Sequence, residues 1–208
     1  MKGSIGRELP TKEDKGLHEV EIRALLKARQ KRELTHLLEA RGATLEKTEH
    51  LKDAYFCPIN IKSFPEIEMN TVGSFSLRLR QKVENGKTRI EINTKMITQY
   101  GDHNAWEEHE IAVDSFDEAK AILQTMSFKP YFTLEKDRST YSVEGMALVF
   151  EDIVDFGPIL EAEIITPKDK IEEAKTRIKD FLRELGISSQ QIVPKSVTNM
   201  LMREEAQF

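Results

Sequence analysis

Hydrophobic and polar residues alternate along several short segments of the chain, which is the pattern of half-buried β-strands. In "HEVEIRAL" (18–25), Glu19, Glu21 and Arg23 share one face, because successive residues of a strand point to opposite sides. The other segments of this kind are SFSLRLRQKV, KTRIEINTKMI, EEHEIAVD, FTLEKDRSTYSVEGMALVFED and ILEAEIIT. The pattern predicts a fold dominated by a β-sheet.

The dipeptide Asn85-Gly86 lies between the second and third of these segments. Asn-Gly between alternating strands is typical of a two-residue type I′ hairpin turn. The cross-strand pairs that this turn predicts are Arg80 with Glu91, Arg78 with Asn93, and Ser76 with Lys95. The basic members of these pairs then share one face of the hairpin.

Amphipathic segments between the strands predict helices. The segment 27–42 ends at a glycine stop signal, and the segment 114–126 begins with Ser115 in a capping-box spacing. A third segment, 166–186, begins with Thr166 as N-cap and Pro167 as first helical residue, and 194–205 predicts a short last helix. The buried residues predicted for the second helix are Ala119, Ile122, Leu123 and Met126.

These elements predict an α+β fold built on an antiparallel sheet. The chain has 208 residues, of which 39% are hydrophobic, and this length is sufficient for one substantial core. We therefore predict a flexible tail over residues 1–16 and a single domain over residues 17–208.

Composition excludes several classes of protein. The formal net charge is -5, which argues against general binding of nucleic acid. The chain has one cysteine, Cys57, and no apolar run of membrane-spanning length. The polar start of the chain has no apolar segment of the kind that signal peptides contain. We predict a cytoplasmic protein that binds neither membrane nor nucleic acid.

The strand candidates carry charged residues at every second position, about 7 Å apart on one face. In most of these sets the residues are either all acidic or all basic. Any single set of this kind fits a solvated outer face. Several sets together favour a confined channel in which carboxylates hold a hard cation and basic residues hold phosphate oxygens. The sets are Glu19/Glu21/Arg23, Arg78/Arg80, Glu108/Glu110, Lys136/Arg138 and Glu161/Glu163.

The ordered motifs resemble those of the CYTH superfamily, the triphosphate tunnel metalloenzymes. "HEVEIRAL" resembles the E-x-E-x-K signature, "DAYF" (53–56) the D-x-Y-F segment and "LRLRQ" the R-x-R motif. "NTKM" offers a tunnel lysine, and "EEHEIAVDSFDEAKAIL" resembles an acidic strand leading into a helix. "LEKDRSTY" matches K-x-R-x-x-Y, and "FGPILEAE" is similar to L-G-x-F-x-E-x-E.

The resemblance implies an eight-stranded antiparallel β-tunnel, a closed or nearly closed barrel with flanking helices. It implies one or two divalent cations, Mg²⁺ or Mn²⁺, and a triphosphate as substrate. The implied metal ligands are Glu19, Glu21, Glu161 and Glu163. The implied substrate-binding residues are Arg23, Arg78, Arg80, Lys95, Lys136 and Arg138. The implied catalytic residues are Arg23, Glu108, Glu110 and Glu151.

Two positions depart from the family pattern. Arg23 stands where the signature has lysine, and the two are not interchangeable where a compact point charge is required. Glu151 aligns with a late aspartate of the family, and its neighbour Asp152 is the alternative for that role.

The predicted activity is hydrolysis of the terminal phosphate of inorganic triphosphate, thiamine triphosphate or ATP. The alternative is a class IV-type adenylyl cyclase that forms cyclic AMP and pyrophosphate from ATP. A non-catalytic polyphosphate- or nucleotide-binding module and a scaffold with an internal ion-pair network are further alternatives. A homodimer is an additional hypothesis.

Overall fold

The structure is a computed structural model, and it describes residues 17–69, 71–97, 106–193 and 197–205. The predicted tail, residues 1–16, lies outside the described residues. No helix in these ranges is long and apolar enough to cross a membrane.

Nine strands form one sheet in the order β5-β4-β3-β2-β6-β7-β8-β1-β9. The strands are Leu17–Leu25 (β1), Thr44–Pro58 (β2), Phe75–Glu84 (β3), Lys87–Ile97 (β4), Trp106–Val113 (β5), Phe128–Val143 (β6), Met146–Ile153 (β7), Gly157–Pro167 (β8) and Ile192–Val193 (β9). The helices are Ala28–Ala40 (α1), Phe116–Thr125 (α2), Ile171–Glu184 (α3) and Val197–Glu205 (α4).

The antiparallel α+β fold class is confirmed, with one difference in the strand count. The ninth strand is the two-residue β9, which pairs with β1 through Arg23 and Ala24. Within the described residues, the end strands β5 and β9 are not hydrogen-bonded to each other. Backbone hydrogen bonds therefore do not close the sheet on itself.

The predicted hairpin between β3 and β4 is confirmed. Asn85 and Gly86 both have positive φ, 50° and 74°, as a type I′ turn requires. The observed pairs include Arg80 with Glu91, Arg78 with Asn93, and Ser76 with Lys95. Turn chemistry alone thus gave the correct register of these two strands.

The chain divides into two compact units, each with its own core. The first comprises the described residues of the ranges 17–46, 140–150 and 158–193. Here the apolar residues of β1, such as Val20 and Ala24, are buried in one cluster with Leu34 and Leu38 of α1 and Ile178 of α3. Because this face of β1 is buried under helices, its charged residues point to the other side of the strand.

The second unit comprises the described residues of the ranges 47–139, 151–157 and 197–205. Ala119 and Leu123 of α2 pack in a cluster with Leu77 and Leu79 of β3. Ser115 caps α2 as predicted, since its hydroxyl accepts a hydrogen bond from the backbone N–H of Glu118 at 3.2 Å.

Two of the four residues predicted to be buried on α2 are not. Ile122 is 57% exposed and Met126 is 62% exposed. The helix ends at Thr125, so Met126 is the C-cap and no longer follows helical spacing. Ile122 lies beside the narrow stripe that contacts the sheet, which the buried residues Ala119 and Leu123 form.

The predicted start of the third helix is wrong. Thr166 and Pro167 belong to β8, and α3 begins only at Ile171, after a short 3-10 turn over Lys168–Lys170. Pairing with β1 extends to Pro167 and holds Thr166 opposite His18. This strand pairing overrides the local helix-start signal, and Pro167, which has no N–H to donate, is the last residue of β8.

Candidate functional site

Strands β1 and β8 bring acidic side chains together on one face of the first unit. Their register places Glu21 directly opposite Glu163 and Arg23 directly opposite Glu161. Like charges at directly opposed positions repel each other. A pair of this kind needs a compensating cation or a basic neighbour.

Three carboxylates form what we call the acid cluster: Glu19, Glu21 and Glu163. One oxygen from each lies within 4.8 Å of the other two, and all three side chains are partly buried. Burial raises the pKa of Glu21, and the charges of Glu161 and Glu19 act in the same direction, against that of Arg23. Carboxylate oxygens at this spacing are the ligands that hard divalent cations prefer.

Arg23 bridges two acids on the same face. Its Nε donates a hydrogen bond to Glu161, and its Nη2 donates one to Glu21. Glu161 lies outside the acid cluster, and Arg23 links it to Glu21 of that cluster. The structure thus brings together three of the four predicted metal ligands and separates the fourth by an arginine contact.

Two predicted phosphate-binding arginines lie on one face of the second unit. Arg80 is opposite Asp53 of β2, and Arg78 is opposite Tyr55. Arg80 forms a bidentate pair with Asp53, in which Nε and Nη2 each donate at 2.6 Å. Arg78 donates from Nη2 to Asn93 at 3.2 Å, and its Nη1 lies 3.8 Å from Asp53.

A second buried carboxylate holds the two bases of β6. Glu151 of β7 accepts hydrogen bonds from Lys136 Nζ at 2.7 Å and from Arg138 Nε at 2.8 Å. Burial opposes the ionisation of Glu151, but these two charges outweigh it, and its pKa lies below the ordinary value. Burial also lowers the pKa of Lys136, against the charge of Glu151.

We call these four bases and two acids the basic face: Arg78, Arg80, Lys136, Arg138, Asp53 and Glu151. Four positive and two negative side chains give this group a formal charge of +2. Such a surplus, held in a half-buried site, suits a multiply charged anion, since buried charges require compensation. Glu151, to which the family resemblance gives a catalytic role, contacts two bases of this face.

The remaining predicted residues are more exposed. Lys95 Nζ lies 2.7 Å from Glu108, and Arg89 Nη2 lies 3.2 Å from Glu110. The side chains of Lys95, Glu108 and Glu110 are 39%, 40% and 44% exposed, respectively. These side chains are ion-paired at the surface, unlike the buried pairs of the basic face.

Asp53 is a residue of this face that the sequence motifs did not predict as part of the site. It lies in the D-x-Y-F segment, which served only to support the resemblance. Asp53 is identified by its position opposite Arg80, and that position is known only once β2 is paired with β3.

Solved structures of similar fold cover nearly the whole chain. The PH1819 protein of Pyrococcus horikoshii OT3 is 22% identical, with a TM-score of 0.68, and the match covers 90% of this chain and 99% of that one. The PH1012 protein of the same organism is 23% identical, with a TM-score of 0.63 and coverages of 86% and 96%. At this identity the likeness shows the fold alone.

A candidate adenylate cyclase of Vibrio parahaemolyticus also has a similar fold. It is 16% identical, with a TM-score of 0.62, and the match covers 88% of this chain and 97% of that one. No curated protein matches this sequence significantly.

The CYTH domain matches residues 17–197, which is most of the chain. Members of this family are generally metal-dependent enzymes, including adenylate cyclases and triphosphatases. With this match and the fold described above, the protein belongs to the CYTH family.

Proposed function

We propose that this protein is a divalent-metal-dependent enzyme that hydrolyses the terminal phosphate of a triphosphate. The observation that carries the proposal is the acid cluster of Glu19, Glu21 and Glu163. A module that only binds anions has no use for three grouped carboxylates, which would repel the ligand. A metal-dependent hydrolase requires them as ligands of the cation.

The residues of the acid cluster fit a small hard cation. They supply only oxygen ligands, and burial raises the pKa of Glu21, with the charges of Glu161 and Glu19 acting in the same direction. Mg²⁺ or Mn²⁺ bound there would neutralise phosphate oxygens and lower the pKa of a bound water. Glu161 is the fourth proposed ligand, and the hydrogen bond that it accepts from Arg23 uses only its Oε1.

The bases of the basic face are the proposed phosphate ligands. Arg78 supports this role most directly, because its Nε is buried and has no hydrogen-bond partner in the described part of the chain. A buried N–H without a partner is costly, and a phosphate oxygen would satisfy it. Arg80, Lys136 and Arg138 would supply the further charge that offsets negative charge in the transition state.

Four further residues keep the roles that the family pattern implies. Arg23 and Lys95 are additional proposed phosphate ligands, and Arg23 also separates Glu21 from Glu161. Glu108 and Glu110 would orient the attacking water or balance neighbouring bases such as Lys95.

The second candidate function is an adenylyl cyclase reaction, in which the ribose 3′-hydroxyl attacks the α-phosphorus of ATP. The observation that favours it is the similar fold of the candidate adenylate cyclase of Vibrio parahaemolyticus. The same charged groups would serve both reactions. The reactions differ in the phosphorus atom that the nucleophile attacks.

Product analysis separates these candidates. The purified protein is incubated with Mg²⁺ or Mn²⁺ and, separately, with inorganic triphosphate, thiamine triphosphate and ATP. We expect orthophosphate from at least one of the three and no cyclic AMP. Cyclic AMP with pyrophosphate would establish the cyclase instead, and binding without any product would favour the non-catalytic module.

The substitution Glu163→Gln tests the metal site. Removing one carboxylate of the acid cluster is expected to weaken Mn²⁺ binding at least about tenfold, measured by isothermal titration calorimetry. The matched control is Glu33→Gln, which removes an exposed acid ion-paired with Arg29 at 2.8 Å on α1. Equal Mn²⁺ affinity of the Glu163 variant and the control would contradict the assignment.

A cytoplasmic location and a homodimer complete the proposal. Cys57 is a buried free cysteine, which fits a reducing compartment. Light scattering of the purified protein tests the homodimer.

A further inference from the structure

We infer that Asp53 is a positioning residue that fixes the guanidinium groups of Arg80 and Arg78 for contact with the phosphates. This inference rests on the proposed function, since it gives a role in phosphate binding to a residue that does not itself bind the substrate. It extends the proposal to Asp53, a carboxylate that is not in the acid cluster found among the described residues.

The geometry around Asp53 fixes both the place and the plane of one guanidinium. The Asp53 side chain is 1% exposed and lies opposite Arg80 in the β2–β3 register. Its two oxygens accept from Nε and Nη2 of Arg80, each at 2.6 Å. This fork occupies two of the five N–H donors of the guanidinium and sets the directions in which the other three point.

The same carboxylate also lies near the second arginine. Oδ2 of Asp53, which accepts from Arg80, is 3.8 Å from Nη1 of Arg78. Arg78 is held on its other side by Asn93, while its Nε remains buried and without a partner in the described ranges. Asp53 therefore holds Arg80 by two hydrogen bonds and lies within ion-pair distance of Arg78.

The charge state of Asp53 suits this role. Burial opposes its ionisation, but the hydrogen bond and charge of Arg80, together with the charges of Arg78 and Lys136, outweigh it. The pKa of Asp53 consequently lies below its ordinary value, and the carboxylate is ionised throughout the neutral range. Asp53 thus acts as a fixed acceptor and does not transfer protons.

The alternative role for a buried acid among bases is charge compensation alone. The two roles predict opposite effects on triphosphate affinity when the charge of Asp53 is removed. If Asp53 only balanced charge, removing its charge would leave the bases more attractive to a triphosphate, and affinity would rise. If Asp53 positions Arg80, removing one oxygen acceptor of the fork releases the guanidinium, and phosphate binding and turnover fall.

The test begins with Asp53→Asn, which keeps the size of the side chain. We expect kcat/KM for the triphosphate that the wild type hydrolyses to fall about 10- to 100-fold, the range for a misplaced catalytic contact. The matched control is Glu49→Gln on the same strand and face. Glu49 is 2% exposed and is ion-paired with Lys47 and Lys82, outside the basic face. This control should keep kcat/KM within about twofold of the wild type.

A double-mutant cycle with Arg80→Lys shows whether Asp53 acts through Arg80. Lysine cannot form the bidentate fork, so in the Arg80→Lys background Asp53→Asn should change kcat/KM less than about threefold. Additive losses, or unchanged or tighter triphosphate binding by Asp53→Asn, would overturn the inference. If urea unfolding shows that Asp53→Asn is not folded, Asp53→Glu is used in its place. Asp53→Glu keeps the negative charge but displaces the two hydrogen bonds to Arg80. Wild-type kinetics of Asp53→Glu would also overturn the inference.

Failure of the proposed function gives a different result. A wild-type protein that neither binds nor hydrolyses any triphosphate would overturn both proposals. A wild type that hydrolyses triphosphate, with Asp53→Asn equally active, would overturn only the role of Asp53.

Discussion

At the scale of single residues, the two buried carboxylates of the basic face determine how its bases are held. Asp53 binds Arg80, and Glu151 binds Lys136 and Arg138. Removing one partner of a buried ion pair leaves an uncompensated charge in a poorly solvated place, which is strongly destabilising. The stability of this face and the anion binding that we propose for it therefore depend on the same contacts.

The substitution Glu151→Gln measures the contribution of Glu151 to stability. Because its side chain is 4% exposed and accepts from two bases, we expect the free energy of unfolding at pH 7 to fall by about 3 kcal/mol. The control Glu135→Gln, at a partly exposed acid that contacts Lys52 and His50, should change it by less than about 1 kcal/mol. Urea denaturation measures both variants, and equal changes would contradict the expectation.

The pH dependence of this difference has a definite sign. The pKa of Glu151 is lower in the folded state than its ordinary value of 4.5. Its ionised form therefore stabilises the fold fully above pH 4.5, and this stabilisation is lost as the pH falls below 4.5 through the folded-state pKa. The difference between wild type and Glu151→Gln should accordingly be largest at neutral pH and shrink in acid.

Sequence reasoning at this scale found the charged residues but not their partners. It grouped Glu161 with Glu163 because the two are adjacent on one strand face. The structure instead pairs Glu161 with Arg23 and groups Glu163 with two acids of β1. Side-chain rotamers and distant strand neighbours decide such partners, and the spacing along one strand contains neither.

At the scale of elements, the β3–β4 hairpin controls the positions of the arginines. A slip of one residue would move Arg78 and Arg80 to the opposite face of the sheet, since side chains alternate along a strand. The type I′ turn at Asn85-Gly86 prevents this slip by fixing the register.

The substitution Gly86→Ala tests the turn. Gly86 has φ of 74°, and a Cβ there would meet no atom within 4 Å, so the cost comes from backbone conformation alone. We expect the free energy of unfolding to fall by about 1–2 kcal/mol, the cost of left-handed backbone for a residue with a Cβ. The control Asn85→Gly, which is compatible with the positive φ of that position, should cost less in the same thermal or urea measurement.

The elements show where local signals were sufficient. The hairpin and the Ser115 cap were predicted correctly because both depend on a few consecutive residues. The start of α3 was predicted wrongly because pairing with β1, which lies far away in the sequence, keeps Thr166 and Pro167 in β8.

At the scale of the whole molecule, a ligand that binds only the folded chain must stabilise it. At a free concentration one hundred times its Kd, a single-site ligand raises the free energy of unfolding by about 2.7 kcal/mol. We expect inorganic triphosphate with Mg²⁺ to raise the thermal midpoint in this manner, and chelation of the metal to reverse most of the rise.

The variant Glu163→Gln supplies the comparison for this measurement. This variant lacks one carboxylate of the acid cluster. Mg²⁺ should therefore raise the thermal midpoint of the variant less than that of the wild type. Equal shifts for the two proteins would contradict the role of the acid cluster in ligand binding.

The sequence by itself determined the antiparallel α+β class, the β3–β4 register and the division of charged strand faces into acids and bases. These features follow from the two-residue period of strands and from local turn chemistry. The tertiary structure alone decided that Glu163 joins the acid cluster, that Arg23 holds Glu161, and that Asp53 holds Arg80. These contacts depend on the pairing of β1 with β8 and of β2 with β3, and no local pattern encodes either pairing.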